Sequence, residues 1–233
     1  MRIVDLSMTV EECDSAPFAK DEYYFKVRPI VTFEEKGFVS NMVEMTVHAG
    51  THIDTPHHFF QDRPGIEQLP MESMVGDAVV MDLTFKGTAN ARIMPEDLDK
   101  AEAALRAKGV TIEPGGMLFL RTDWSRGHVT TDPKWWDDSP CLTKASAEWL
   151  VTKRQKVLGF DFAQEEKGGD YEHADEILGS GMRVHRVILP TVVFQIENLI
   201  NLHLLPSKVK VIALPVKWTT ESAPARVIAL LDD

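Results

Sequence analysis

Residues 48–59 read HAGTHIDTPHHF, and four of the chain's eight histidines fall within them. Gly50 interrupts any helix here, Thr51 and Ile53 are β-branched, and Pro56 would remove a helical donor. The expected backbone is therefore a strand running into a tight loop. His48, His52, Asp54 and His58 are separated by even numbers of residues, which on an extended chain sets them toward one face, with His57 pointing away. Two imidazoles and a carboxylate offer a divalent ion N, N and O donors that suit zinc, manganese or iron, with coordination positions left for water and substrate. A closed structural site would be expected to use four ligands, commonly cysteines, and neither Cys13 nor Cys141 is near. His58 is assigned to proton transfer, because a histidine beside an activated water titrates close to working pH.

Working outward, the motif is preceded by an alternating stretch, Val39 to Val47, read as a strand, and the chain opens on another at Arg2 to Leu6. Asp77 to Leu83 and Met117 to Arg121 are short apolar runs, each close behind a glycine, and read as buried strands. Between them Pro95 to Lys108 predicts a helix, with Pro at its first turn, Glu96 and Asp97 at the positive end, and Gly109 as the stop. A second helix is predicted over Thr143 to Thr152 with Thr143 as N-cap, followed by strands at Val157 to Phe160, Lys208 to Val216 and Arg226 to Leu231. This mixture lacks the regular alternation of a Rossmann or barrel fold, and no G-x-G-x-x-G or P-loop accompanies it.

The whole of residues 1–233 suits a single α/β domain, with 44% hydrophobic and 26% charged residues. A net charge of −11 without a basic cluster argues against nucleic acid as a partner. Two cysteines give no disulfide framework and fit a reducing compartment. The opening MRIVDLSMTVEECD carries acids where a signal peptide needs apolar residues, and Val187 to Leu205 is broken by polar residues, so no membrane association is expected. The expected location is the cytoplasm.

HAGTHIDTPHHF resembles the signature of the cyclase-type metal hydrolases, the family that includes bacterial kynurenine formamidase and isatin hydrolase. IVDLS, IEQLPMESMVGDAVVMDL, MLFLRTDW, ASAEWL leading to VLGFD, and ALPVKWTTESAPARVIALL extend the resemblance along the chain. It implies the swivelling β/β/α fold, a central β structure flanked by helices, assembled as a homodimer or homotetramer. It implies that His48, His52 and Asp54 bind one zinc or manganese ion, with Asp54 able to bridge to a second held by His185 and Glu197 in HRVILPTVVFQIENL. Without the family, those last two residues read as ordinary surface or capping positions. His58 would be the catalytic histidine.

The implied reaction is hydrolysis of an aryl formamide or related amide, in which one or two ions activate water and His58 protonates the departing nitrogen. Opening of isatin, another lactam or a cyclic imide is the alternative. Trp124, Trp135, Trp136 and Trp218 are candidates to line a pocket for an aromatic small-molecule substrate. The chain departs from the formamidase-like pattern after VLGFD, reading FAQEEKGGDYEH where such members continue Thr-Pro-Ser or Thr-x-Ser. Two other classes compete. His52, Asp54 and a further histidine formally satisfy the ligand set of non-haem iron oxygenases, and a non-catalytic metal-binding protein would use the cluster for stability alone.

Overall fold

The structure is a computed structural model that describes residues 1–13, 25–166, 182–191 and 193–231. Its strands are β1 (Arg2–Asp5), β2 (Phe25–Val31), β3 (Ser40–Met45), β4 (His52–Asp54), β5 (Val75–Asp82), β6 (Arg92–Ile93), β7 (Met117–Arg121), β8 (Cys141–Leu142), β9 (Val157–Phe160), β10 (Phe194–Glu197), β11 (Lys208–Pro215) and β12 (Ser222–Leu231). The α-helices are α1 (Phe33–Lys36), α2 (Pro95–Ala107), α3 (Pro133–Asp137), α4 (Lys144–Thr152) and α5 (Arg183–Ile188).

The sheet runs β12-β11-β5-β7-β9-β10-β4 and returns to β12, closing a seven-stranded barrel, with β1 attached along the remaining edge of β12. Strands β5, β7, β9 and β10 are mutually parallel and the other barrel pairings are antiparallel. This is the mixed α/β architecture, central β structure with flanking helices, that the family resemblance implied.

Period-two patterning explains the layers. Ala78 and Val80 of β5, Met117 and Phe119 of β7, and Ile53 of β4 fill the barrel with Val211 and Val227. Their neighbours Val79, Met81, Leu118 and Leu120 face outward and are covered by Leu98 and Leu105 of α2, Leu150 of α4 and Ile188 of α5. Strands buried on both faces read as continuous apolar runs, which is why β7 and β9 are visible in the sequence. Each such large side chain contributes roughly 1.5–3 kcal/mol by leaving water. Gly159 allows the interior to close, since a Cβ there would stand 2.5 Å from the Phe119 ring.

The strand expected over Val39 to Val47 forms only at Ser40–Met45, and it pairs with β2 in a ladder outside the barrel. Ile30, Met42 and Val43 are exposed on that ladder, with Phe33, Phe38 and Val39 exposed at its connection. Among the described residues, no helix is long and apolar enough to cross a membrane.

Candidate metal centre

Strand β4 has three residues and is filled on both edges, by β10 and by β12. Its register sets His52 opposite Glu197 and Asp54 opposite Gln195. Because Ile53 points into the barrel, His52 and Asp54 project from its outer face, where Glu197 joins them. His52 Nε2 lies 3.6 Å from Asp54 Oδ1 and 3.6 Å from Glu197 Oε2.

The flanking histidines arrive by bends. His48 stands on the turn before β4, where Gly50 adopts the left-handed φ of 62°. Its Nδ1 is 3.0 Å from Asp54 Oδ1 and its Nε2 is 3.4 Å from Glu221 Oε1. His58 ends a single 3-10 turn, Pro56–His58, which is tied down where Thr55 N and Oγ1 donate to Glu221 O at 3.0 and 2.7 Å. The His58 ring centroid is 4.5 Å from that of His48 and 5.8 Å from that of His185. His185, on α5, places Nε2 2.9 Å from Glu197 Oε1 and 3.7 Å from Asp54 Oδ2, while Nδ1 meets Glu165 Oε2 at 2.7 Å.

Burial opposes a charge on His48, yet Asp54 and Glu221 prevail and push its pKa up to about 10. Burial likewise works against a charged His185, but Asp54, Glu165 and Glu197 hold its pKa well above the ordinary value. Asp54 is wholly enclosed, and His48, His52 and His185 nevertheless keep its carboxyl well below the usual range. Burial and Asp54 both press Glu197 toward protonation, and the histidines overcome them and lower its pKa. The hydrogen bond from His48 lowers that of Glu221. His58 is shifted down, chiefly by burial. Imidazolium protons thus balance the buried carboxylates, a role a divalent cation fills with one compact charge.

The donor set fits such a cation. His52 Nε2 and Asp54 Oδ1 are buried without a hydrogen-bond partner, the latter having His48 Nδ1 near but misaligned. Donor atoms of His52, Asp54 and Glu197 lie within 4.8 Å of one another, and so do those of His48, Asp54 and His58. Asp54 belongs to both groups.

The Cyclase family model matches residues 4–167, well over half of the sequence. The chain belongs to the Cyclase family. This cyclase-family chain is 23% identical to a kynurenine formamidase of Salinibacter ruber, covering 98% of the chain and 97% of that protein. It is 25% identical to an isatin hydrolase of Roseibium aggregatum, over 92% of the chain and 84% of the relative. Its fold superimposes on isatin hydrolase A from Labrenzia aggregata bound to benzyl benzoate with a TM-score of 0.79, at 23% identity and with 98% and 93% of the two chains covered.

All six residues singled out in the sequence of this family member line one cavity of about 380 Å³: His48, His52, Asp54, His58, His185 and Glu197. Donor atoms of His58 lie close to those of His48 and Asp54, and donor atoms of Glu197 close to those of His52 and Asp54. Of the four tryptophans proposed for the pocket, Trp136 reaches the cavity wall, Trp124 and Trp135 are core residues, and Trp218 is not among the lining residues and is partly exposed. Three neighbours of the cluster went unread: Gln164, Glu165 and Glu221. The first two belong to the FAQEE departure, which was its own signal, whereas Glu221 looks like an ordinary loop acid in WTTESAP.

Proposed function

We propose that the chain is a metal-dependent hydrolase of non-peptide carbon–nitrogen bonds, acting on an aryl formamide or related amide as its kynurenine formamidase relatives are named to do. The observation that carries this reading is the meeting of His52 Nε2 and Asp54 Oδ1, both buried and without a well-aligned hydrogen bond, on the wall of a cavity of small-molecule size. His48, His52 and Asp54 would hold one zinc or manganese ion, and His185 and Glu197 a second, with Asp54 shared. A divalent ion there supplies Lewis acidity toward a carbonyl oxygen and lowers the pKa of water toward neutrality.

The chain's own residues carry the remaining work. His58 lies on the cavity wall beside His48, and burial favours its neutral ring, so it takes the proton of the attacking water and returns it to the departing nitrogen. Glu221 steadies His48 from the side away from Asp54. Trp136, Ala163 and Met182 provide an apolar wall for an aryl group. Residues 1–233 would form one domain working in the cytoplasm. The chain would assemble as a homodimer or homotetramer, for which the exposed Phe33, Phe38, Val39, Met42 and Val43 offer an apolar face.

Opening of the isatin ring, also a carbon–nitrogen cleavage, is the second reading. It is favoured by the likeness to isatin hydrolase together with FAQEE in place of a Thr-x-Ser run. Protein stripped of metal and reloaded separately with zinc and manganese should be assayed on N-formylkynurenine beside isatin. Faster turnover of the formamide supports the first reading and preference for isatin the second. Retention of metal with no turnover of any amide, lactam or imide would leave only metal binding.

A further inference from the structure

We infer that Glu165 is a positioning residue for the second half of the metal centre, fixing the ring of His185; the inference rests on the two-ion reading above. Three contacts converge on this one carboxylate. Oε1 accepts from Val184 N at 2.9 Å, and Oε2 accepts from His185 N at 3.3 Å and from His185 Nδ1 at 2.7 Å. The first two secure the start of α5, and the third sets the ring that α5 carries. With Nδ1–H committed to Glu165, the other ring nitrogen is the one turned toward Glu197 and Asp54.

The ring is held on its face as well as its edge. Phe59 stacks on His185 with centroids 5.2 Å apart and planes 25° from parallel. A carboxylate behind a ligating imidazole fixes orientation and raises donor strength, and such partners are typically worth 10–100-fold in metal affinity or activity. The preceding residue acts on the other ligand: Gln164 Nε2 donates to Glu197 Oε1 and, at 3.3 Å, to Gln195 Oε1. Two adjacent side chains of the FAQEE stretch therefore grip His185 and Glu197, residues from separate elements.

Metal-free wild type, Glu165→Gln and Glu165→Ala should each be titrated calorimetrically with Mn²⁺, and the thermal midpoint of each metal-free protein recorded. An amide at position 165 still accepts from Val184 N but offers His185 no carboxylate. Glu165→Gln should weaken the second equivalent by roughly 10–100-fold and leave the first at its wild-type affinity, with the metal-free midpoint lowered less than in Glu165→Ala, by loss of the charge facing His185 alone. Glu165→Ala should lower the midpoint too. Wild-type affinity for both equivalents in Glu165→Gln would overturn the inference. So would an equal loss of both accompanied by a lower midpoint, since that marks a purely structural role. A wild type that binds one ion only would bring down the two-ion reading and this inference with it. The titration reads metal uptake without turnover, so failure to hydrolyse amides is a separate result.

Discussion

His52 Nδ1 lies 2.9 Å from the carbonyl oxygen of Gly50, a group that can only accept, so the ring commits a proton there and it is Nε2 that faces Asp54 and Glu197. The same carbonyl accepts from Asn198 Nδ2 at 2.8 Å, which ties the bend to the strand bearing Glu197.

Gly50→Ala should therefore damage stability and site together. A Cβ at position 50 would stand 2.4 Å from Val10 Cγ2, on a backbone at φ 62° that costs an alanine about 1–2 kcal/mol. Urea unfolding should show at least that loss, and metal titration a weaker first equivalent. Wild-type values in both would refute the link between Gly50 and His52.

Asp54 is common to both donor groups, so Asp54→Asn should abolish uptake of both ions rather than one. Elemental analysis after dialysis would show it. Wild type should also gain thermal stability from added metal, about 2.7 kcal/mol at a hundredfold excess over Kd. The variant should gain none, and retention of one tight equivalent would restrict Asp54 to a single ion.

For His58→Gln the expected result is retained metal with kcat lowered by roughly 10²–10⁴, the usual contribution of a positioned acid–base group. KM should change little. Loss of an ion instead would make His58 a ligand, as its grouping with His48 and Asp54 permits.

Asp161, buried at the end of β9, accepts from Thr122 N, Thr122 Oγ1 and Asp123 N at 2.8, 2.7 and 2.9 Å, but burial outweighs these bonds and pushes its pKa up to about 7. Between the ordinary aspartate value of 3.8 and about 7, the folded protein holds a proton that the unfolded chain has released. The stability this provides is complete at low pH and is lost as pH rises through that window. Urea unfolding across the range should show this decline superimposed on other titrations, and Asp161→Asn should remove its share. An unchanged slope in the variant would assign the decline to other groups.

Much of the fold was legible where local physics decides it. The apolar runs Met117–Arg121 and Val157–Phe160 are strands with the predicted bounds, because both faces are buried. Pro95 and Thr143 mark the first turn of α2 and the cap of α4 as read. The barrel's closure was not legible, since it depends on three-residue β4 pairing with strands far along the chain. Parity reasoning gathered His48, His52, Asp54 and His58 on one face, but only His52 and Asp54 share a strand; a left-handed glycine and a 3-10 turn deliver the others. His185 and Glu197 came from resemblance alone, because the register between β4 and β10 leaves no local mark. Glu165 was hidden in what looks like a solvated run of charge.

The two occupied edges of β4 also set a timetable. During synthesis the histidine motif precedes residues 194–197 and 222–224, which flank it in the finished barrel. For most of its growth the nascent chain would offer an ion scattered imidazoles and no enclosing cage, and pairings this distant in sequence are slow to form. An ion held by His52, Asp54 and Glu197 would be enclosed only once those distant strands have paired, and would then act as a clasp on a ring already shut.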